Sequence, residues 1–245
     1  MRSVVLIPAR YGSSRYPGKP LVELLGKPMV LWVAELSAKA LGRENVYVAT
    51  EDQRIVDVVE AAGFNAVMTG DALTGTDRLA EAAQKIEADI YINVQGDEPI
   101  VFPEDILAVR DSKVEHMSDV INGFSWIGET EDPHSVNIPK VITNEAGELV
   151  YMSRSALPGF KDKKDAPAAY KKQVCIYAFT ADELSAFKNF GRKSELERSE
   201  DIEILRFLEL GISIRLVETR PGSLAVDVPE DVQRVEAAMR TLGLS

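Results

Sequence analysis

Three groups of residues in this chain have types and spacings suited to chemistry on an anionic substrate. The first is the run Ala9-Arg10-Tyr11-Gly12-Ser13-Ser14-Arg15-Tyr16-Pro17-Gly18-Lys19-Pro20, which follows the apolar stretch Ser3–Pro8. Its glycines and serines let the backbone turn N–H groups toward an anion, and Arg10, Arg15 and Lys19 are long cations able to close around it. The run is neither a Walker A loop nor a dinucleotide fingerprint, because GxxxxGK[ST] and GxGxxG are both missing. The second group is a pair of aspartates, Asp97 and Asp227, each just after an apolar segment. A carboxylate beside a phosphate site calls for a cation between them. Mg2+ held by one or two carboxylates plus substrate phosphates is the usual arrangement. Each aspartate alone also reads as a helix N-cap, and Glu98 and Glu230 are neighbouring carboxylates of the same kind. The third group, Gly75-Thr76-Asp77-Arg78, reads either as a contact to a base or phosphate or as an ordinary helix opening.

Further candidates are sparser. Arg154, in Tyr151-Met152-Ser153-Arg154-Ser155, follows a strand-like run and reads as a bidentate partner for a substrate carboxylate or as a surface arginine. Glu200, Glu203 and Arg206 are spaced three apart, so on a continuous helix they share one face, which by charge pattern is a solvated, salt-bridged one. Cys175 lies inside the apolar run Val174–Phe179 and reads as a buried structural thiol. His116 and His134 are isolated from any nucleophile or metal-ligand pattern, and GxSxG, HExxH and CxxC are missing.

These residues need elements to position them. Strand and helix alternate through the first hundred residues: strands at Ser3–Pro8, Asn45–Thr50, Asn65–Thr69 and Ile90–Val94, helices at Met29–Leu41, Asp52–Ala62 and from Thr74 to about Ile86. That alternation is the signature of a parallel sheet covered on both faces, whose ligands sit at the carboxyl ends of its strands. The pattern then changes to a short helix at Pro103–Arg110 and strands at Asp119–Trp126, Lys140–Thr143, Glu148–Met152 and Gln173–Phe179, with a hairpin turn at 144–147. Residues 158–172, with five lysines and two prolines, read as a loop or a lid. Helices at Thr180–Phe190 and Glu195–Leu210, a strand at Ile212–Glu218 and a helix at Pro229–Leu242 close the chain. The whole reads as one α/β core with an antiparallel insertion at roughly 119–180, rather than as two independent domains.

Bulk composition narrows the class. A length of 245 residues, 45% hydrophobic and 27% charged, is ample for a sizeable core. The formal net charge of −11 argues against general binding to nucleic acid or anionic membrane, so any anionic ligand must be drawn by local cations. One cysteine excludes an intrachain disulfide framework and fits a reducing, cytoplasmic compartment. No run approaches the ~20 apolar residues of a membrane span.

Taken together, Ile7–Arg15 with Pro17–Leu21, Val48-Ala49-Thr50, Gly75–Arg78, Asn93–Pro99, Ser153-Arg154 and Val226–Asp231 resemble, in family order, the CMP-Kdo synthetases, 3-deoxy-manno-octulosonate cytidylyltransferases. The resemblance implies a Rossmann-like nucleotidyltransferase α/β fold with a mostly parallel central sheet flanked by helices. It also implies Mg2+, CTP, a homodimer, and transfer of CMP to an acidic 2-keto-3-deoxy sugar for lipopolysaccharide or capsule, by a single domain with a nucleotide-binding core at about 1–118 and 212–245 and a sugar-binding and dimerisation insertion at about 119–211. By matching positions, Arg10 and Lys19 hold the triphosphate with Arg15 near it, in a nucleotide site that includes Ala9, Tyr11, Gly12, Thr50, Gly75, Arg78 and Gln95. Asp97 and Asp227 bind Mg2+. Arg154, Gln173, Tyr177, Glu200 and Glu203 face the sugar, with Arg154 on its carboxylate. The sugar half departs from the family pattern: Gln173 stands where a histidine is usual, and the 196–206 helix keeps Glu200, Glu203 and Arg206 but lacks a glutamine. The resemblance therefore leaves the acceptor open between Kdo and a related acid such as its 8-amino analogue. A non-catalytic nucleotide-sensing relative is a further alternative, which would have no need to keep Arg10, Lys19, Asp97 and Asp227.

Overall fold

Nothing in the first apolar run after Ser3 offers a polar side chain to water, and β1 (Ser3–Pro8) accordingly runs through the interior, with Val4, Val5, Leu6 and Ile7 fully buried. The computed structural model describes residues 1–13, 16–129 and 131–244. After β1 come a small hairpin, β2 (Glu23–Leu24) and β3 (Lys27–Pro28), then α1 (Met29–Leu41), β4 (Val46–Thr50), α2 (Gln53–Ala61), β5 (Asn65–Met68), α3 (Gly75–Ala83) and β6 (Ile90–Val94). The second half contains α4 (Pro103–Glu115), β7 (Val120–Trp126), β8 (Lys140–Thr143), β9 (Leu149–Ser153) and β10 (Lys171–Phe179). It ends with α5 (Ala181–Asn189), α6 (Glu195–Glu200), α7 (Leu205–Glu209), β11 (Ile214–Glu218) and α8 (Asp231–Thr241).

Among the described residues the central sheet has the order β11-β7-β10-β6-β1-β4-β5. Every neighbouring pair is parallel except the two that β10 makes, with β6 and β7. The segment at 119–211 thus supplies two strands of the main sheet, β7 and β10. It also carries the β8–β9 hairpin, turned at 144–147 with Gly147 at φ 80 as that turn requires. β1 and β6 sit in the middle with all their apolar side chains buried, as strands covered on both faces must. On one face Val5, Ile7, Ile92 and Val94 pack with Val33, Ile55 and Val109 from α1, α2 and α4. On the other, Leu6 and Tyr91 pack with Leu79, Leu184, Phe187 and Phe207 from α3, α5 and α7. Burying each such side chain contributes roughly 1.5–3 kcal/mol before entropy is counted.

One expected element breaks. The helical pattern from Glu195 to Leu210 is two short helices, and the chain between them turns at Asp201, which adopts φ 51. The break follows from where the acidic and basic side chains find partners. Glu200 accepts from Ser153 Oγ (2.7 Å) and the Arg154 N–H (2.9 Å), whereas Glu203 accepts from the N–H groups of Gly75 (3.1 Å) and Thr76 (2.8 Å). Arg206 is not on a solvated face at all. It is fully buried, stacked 3.6 Å over the Phe187 ring, and bonded to both Glu197 (2.7 Å) and Asp77 (2.9 Å). A continuous helix would have sent all three side chains the same way, and their partners lie on different elements.

Arg206 therefore joins α3 to α6 through charges that are almost entirely buried. Arg206→Ala leaves Asp77 and Glu197 as buried carboxylates without their cation, with an expected loss of about 3–5 kcal/mol in urea denaturation. A loss below about 1 kcal/mol would show that the triad does not hold these helices together.

Candidate active site

The carboxyl ends of β1 and β6 are brought into contact by a missing side chain. A Cβ on Gly96 would stand 2.8 Å from the Pro8 carbonyl oxygen, so only glycine lets the two strand ends lie this close. Asp97 follows immediately and is delivered beside the loop that leaves β1. Its own carbonyl accepts from the Val226 N–H (3.0 Å), which docks the 224–228 segment alongside and brings Asp227 to the same place. Asp231 accepts from the Asp227 and Val228 N–H groups (2.9 and 3.1 Å), so the capping at this turn belongs to Asp231, and the Asp227 carboxylate is turned to other work. Asp97 likewise caps no helix, since the next one starts at Pro103.

Lys19 links the two aspartates. It opens a 3-10 turn after Gly18, whose φ of 72 and N–H bond to the Tyr11 carbonyl (2.9 Å) fold the loop back. Its Nζ lies 2.6 Å from Asp97 Oδ2 and 3.6 Å from Asp227 Oδ1. These residues line a cleft of about 300 Å³ together with Arg10, Gln95, Gly75, Arg78 and Glu203. Arg78 is nearly buried and pulled down in pKa by desolvation, against which the Glu51 carboxylate at 2.8 Å holds its charge. Thr74 caps α3 by accepting from the Asp77 N–H (3.1 Å). The α3 N-terminus, a ready place for an anion, is already covered by the Glu203 carboxylate.

The expected site residues thus divide. Ala9, Arg10, Lys19, Gly75, Arg78, Gln95, Asp97, Asp227 and Glu203 converge on one cleft. Thr50 does not reach it: it is fully buried, and its hydroxyl accepts from the Asp52 N–H (3.2 Å). The Tyr11 ring lies 3.4 Å beneath the Arg54 guanidinium, and Gly12 is exposed beyond it. Arg15 lies outside the described residues. On the sugar side, the Arg154 guanidinium is not turned to the cleft. It donates to the carbonyls of Val136 (2.8 Å), Glu200 and Asp201 (3.0 Å), because the broken helix ends there with carbonyls to satisfy. Glu200 is drawn the same way; burial raises its pKa, but the Arg154 N–H, Ser153 and Tyr151 bonds outweigh that and hold it below the ordinary value. Gln173 donates to Tyr177 Oη (3.1 Å) on the same strand, beside the cleft rather than in its lining. Cys175 is only partly covered by its neighbours, and desolvation raises its thiol pKa, so it stays protonated and is no nucleophile.

Two contributors carried no signal in the sequence. Lys193 and Asp201 both line the cleft, and neither lies in a recognisable motif. Glu98, offered by the sequence as a substitute for Asp97, is buried instead, with the Ser223 hydroxyl bonded to it.

Comparison with known proteins adds a family match, two relatives and two solved structures. The cytidylyltransferase family model matches residues 4–214. The 3-deoxy-manno-octulosonate cytidylyltransferase of Anaeromyxobacter dehalogenans (strain 2CP-C) is 42% identical over 244 residues, covering 98% of each chain. That of Escherichia coli is 40% identical over 243 residues, covering 97% of this chain and 96% of its own. Among solved structures, a CMP:2-keto-3-deoxy-manno-octonic acid synthetase complexed with CTP superposes with a TM-score of 0.91 at 38% identity, covering 99% of this chain and all of that one. A cytidylyltransferase from Leptospira borgpetersenii shares the fold at TM-score 0.64 and 18% identity, covering 98% of this chain and 87% of its own.

The buried Glu98 gives the site a pH signature. Burial raises its pKa from 4.5 to about 7, and the Asp97 and Asp227 charges act in the same direction. Below the unfolded value the carboxyl is protonated in both states. Between the two values only the unfolded chain has released its proton, so stability falls as pH rises and levels off above about 7. Glu98→Gln is expected to flatten that fall, read by urea denaturation at about pH 5 and about pH 8 without divalent cations. An equally steep fall in the variant would assign the effect to another group.

Proposed function

This chain belongs to the cytidylyltransferase family, and we propose that it transfers CMP from CTP to 3-deoxy-manno-octulosonate, releasing pyrophosphate. The observation that carries the reading is the meeting of Arg10, Lys19, Asp97 and Asp227 in one cleft at the carboxyl ends of β1 and β6. A non-catalytic relative would have no use for two carboxylates gathered at a phosphate-binding loop.

The reaction exchanges one P–O bond for another. The acceptor's anomeric oxygen bonds to the α-phosphorus of CTP, the bond from that phosphorus to the bridging oxygen breaks in line with its electron pair leaving on pyrophosphate, and the hydroxyl proton passes to water. The chain's residues serve it by position and charge. Arg10 and Lys19 hold the triphosphate and offset the charge that develops on pyrophosphate. Gln95 and Arg78 bind the base or ribose, and the apposition of Gly96 to Pro8 keeps Asp97 in register with them. Asp97 and Asp227 fit a hard divalent cation, since both are carboxylates and they already share a cation, the Lys19 ammonium. Mg2+ bound there supplies Lewis-acid neutralisation of phosphate oxygens.

The chain is further proposed to act in the cytoplasm as a homodimer. The reducing compartment is supported by its single cysteine. The dimer is supported by exposed apolar side chains on the 120–160 segment, Trp126, Val136, Val150 and Phe160, which is surface of the kind a subunit contact covers. Among the described residues no helix is long and apolar enough to cross a membrane.

Pyrophosphate release with CTP, Mg2+ and the acid sugar tests the reading. Asp97→Asn is expected to lower kcat by about 10²–10³ with an unchanged circular dichroism spectrum. Near-normal turnover in that variant would end the assignment of Asp97 to the metal.

A further inference from the structure

The acceptor in this reaction is an acid, and the cleft that must receive it is already crowded with negative charge: Asp97, Asp201, Glu203 and Asp227 all line it. Its carboxylate therefore needs a cation that the nucleotide does not use. Among the described residues four cations line the cleft, Arg10, Lys19, Arg78 and Lys193. Arg10 and Lys19 stand on the loop after β1 and are taken by the triphosphate. Arg78 is buried, with its guanidinium held by Glu51 and Thr69. Arg154 is outside the lining, and its Nε, Nη1 and Nη2 atoms each donate to a backbone carbonyl, which turns the guanidinium away from the cleft. Lys193 remains.

Its setting suits the task. Lys193 precedes α6 and faces Asp201, with Nζ 3.1 Å from Oδ1 and side chains 37% and 72% exposed. Asp201 holds a left-handed backbone conformation, φ 51, that a residue with a side chain adopts at some cost. Arg154 pins that turn from behind by donating to the Asp201 carbonyl (3.0 Å). The Asp201 carboxylate is thus held at the cleft while its backbone is fixed elsewhere. An ion pair this exposed is weak, so exchanging one carboxylate for another on the same ammonium is easy.

We propose that Lys193 binds the carboxylate of the acidic acceptor, with Asp201 as the resting counter-ion that the substrate displaces. The inference rests on the functional reading above and deepens it by naming the acceptor's charge partner. It gives the two side chains opposite effects: losing Lys193 weakens acceptor binding, whereas losing the Asp201 charge removes a competitor and strengthens it.

Steady-state pyrophosphate release is measured at saturating CTP with Kdo varied, for the wild type, Lys193→Ala, Lys193→Arg and Asp201→Asn, alongside KM for CTP. Lys193→Ala is expected to raise KM for Kdo by about ten- to a hundredfold, with kcat and KM for CTP little changed. Lys193→Arg recovers most of that loss, and Asp201→Asn lowers KM for Kdo by about two- to fivefold. An acceptor KM unmoved in Lys193→Ala overturns this proposal while leaving the functional reading in place. A rise in acceptor KM in Asp201→Asn also overturns it, since the pair would then be a structural clamp. No turnover of Kdo by the wild type overturns the functional reading and this proposal with it.

Discussion

The site depends on two strand ends that touch. Where β1 and β6 finish, the Pro8 carbonyl lies so near residue 96 that no Cβ fits between them. That contact sets Asp97 directly beside the loop carrying Arg10 and Lys19. Because Asp97 also receives the Val226 N–H on its carbonyl, the same contact decides where Asp227 comes to rest. Two aspartates 130 positions apart in the chain thus meet on one lysine through backbone hydrogen bonding and a single glycine.

Charge is what the architecture then has to manage. The chain carries a net −11, and its cleft gathers carboxylates beside a phosphate-binding loop, an arrangement that costs energy unless cations are interleaved. The structure interleaves them at most of these carboxylates, and holds Glu203 with backbone N–H groups instead. Lys19 lies between Asp97 and Asp227, Arg78 against Glu51, Arg206 between Asp77 and Glu197, and Lys193 on Asp201. Arg206, fully buried between its two carboxylates, holds elements together and is committed to that role. Lys193, 37% exposed and paired with a carboxylate open to water, is free to exchange that partner for an anionic substrate.

The second wall of the cleft is built differently from the first. The first consists of strand ends, set by the sheet. The second is the interrupted helix at 195–209, whose turn is tied down by Arg154 and whose Glu203 closes over the N-terminus of α3. The buried Lys140 adds to this anchorage by donating to the Ser135 and Arg154 carbonyls, so a set of backbone oxygens from 135 to 201 is gathered around two cations. The helix breaks so that Glu200, Glu203 and Arg206 can each satisfy a different part of that assembly.

Local signals in the sequence were enough to mark the strands of the parallel half of the sheet and the first wall, but not that β7 and β10 would join the same sheet beside β6. Apolar runs bounded by turn residues mark β1, β4 and β6, because a strand covered on both faces has no freedom to be polar. The loop from Arg10 to Lys19 and the aspartates at strand ends are legible for the same reason, since their place in the sheet follows from the strand before them. Thr50 shows the limit: it too ends a strand, but its hydroxyl turns inward to the Asp52 N–H, a choice made by the next turn of chain. The second wall was decided by tertiary structure alone. The spacing of Glu200, Glu203 and Arg206 speaks for one continuous face, and only the positions of Ser153, Gly75 and Asp77 reveal that they part company. Arg154 reads as a free cation until the carbonyls it satisfies are seen, and Lys193 and Asp201 have no motif at all. Periodicity records which neighbours a residue has along the chain. A side chain's charge partner is set by the three-dimensional packing of elements far apart in that chain, and spacing cannot express it.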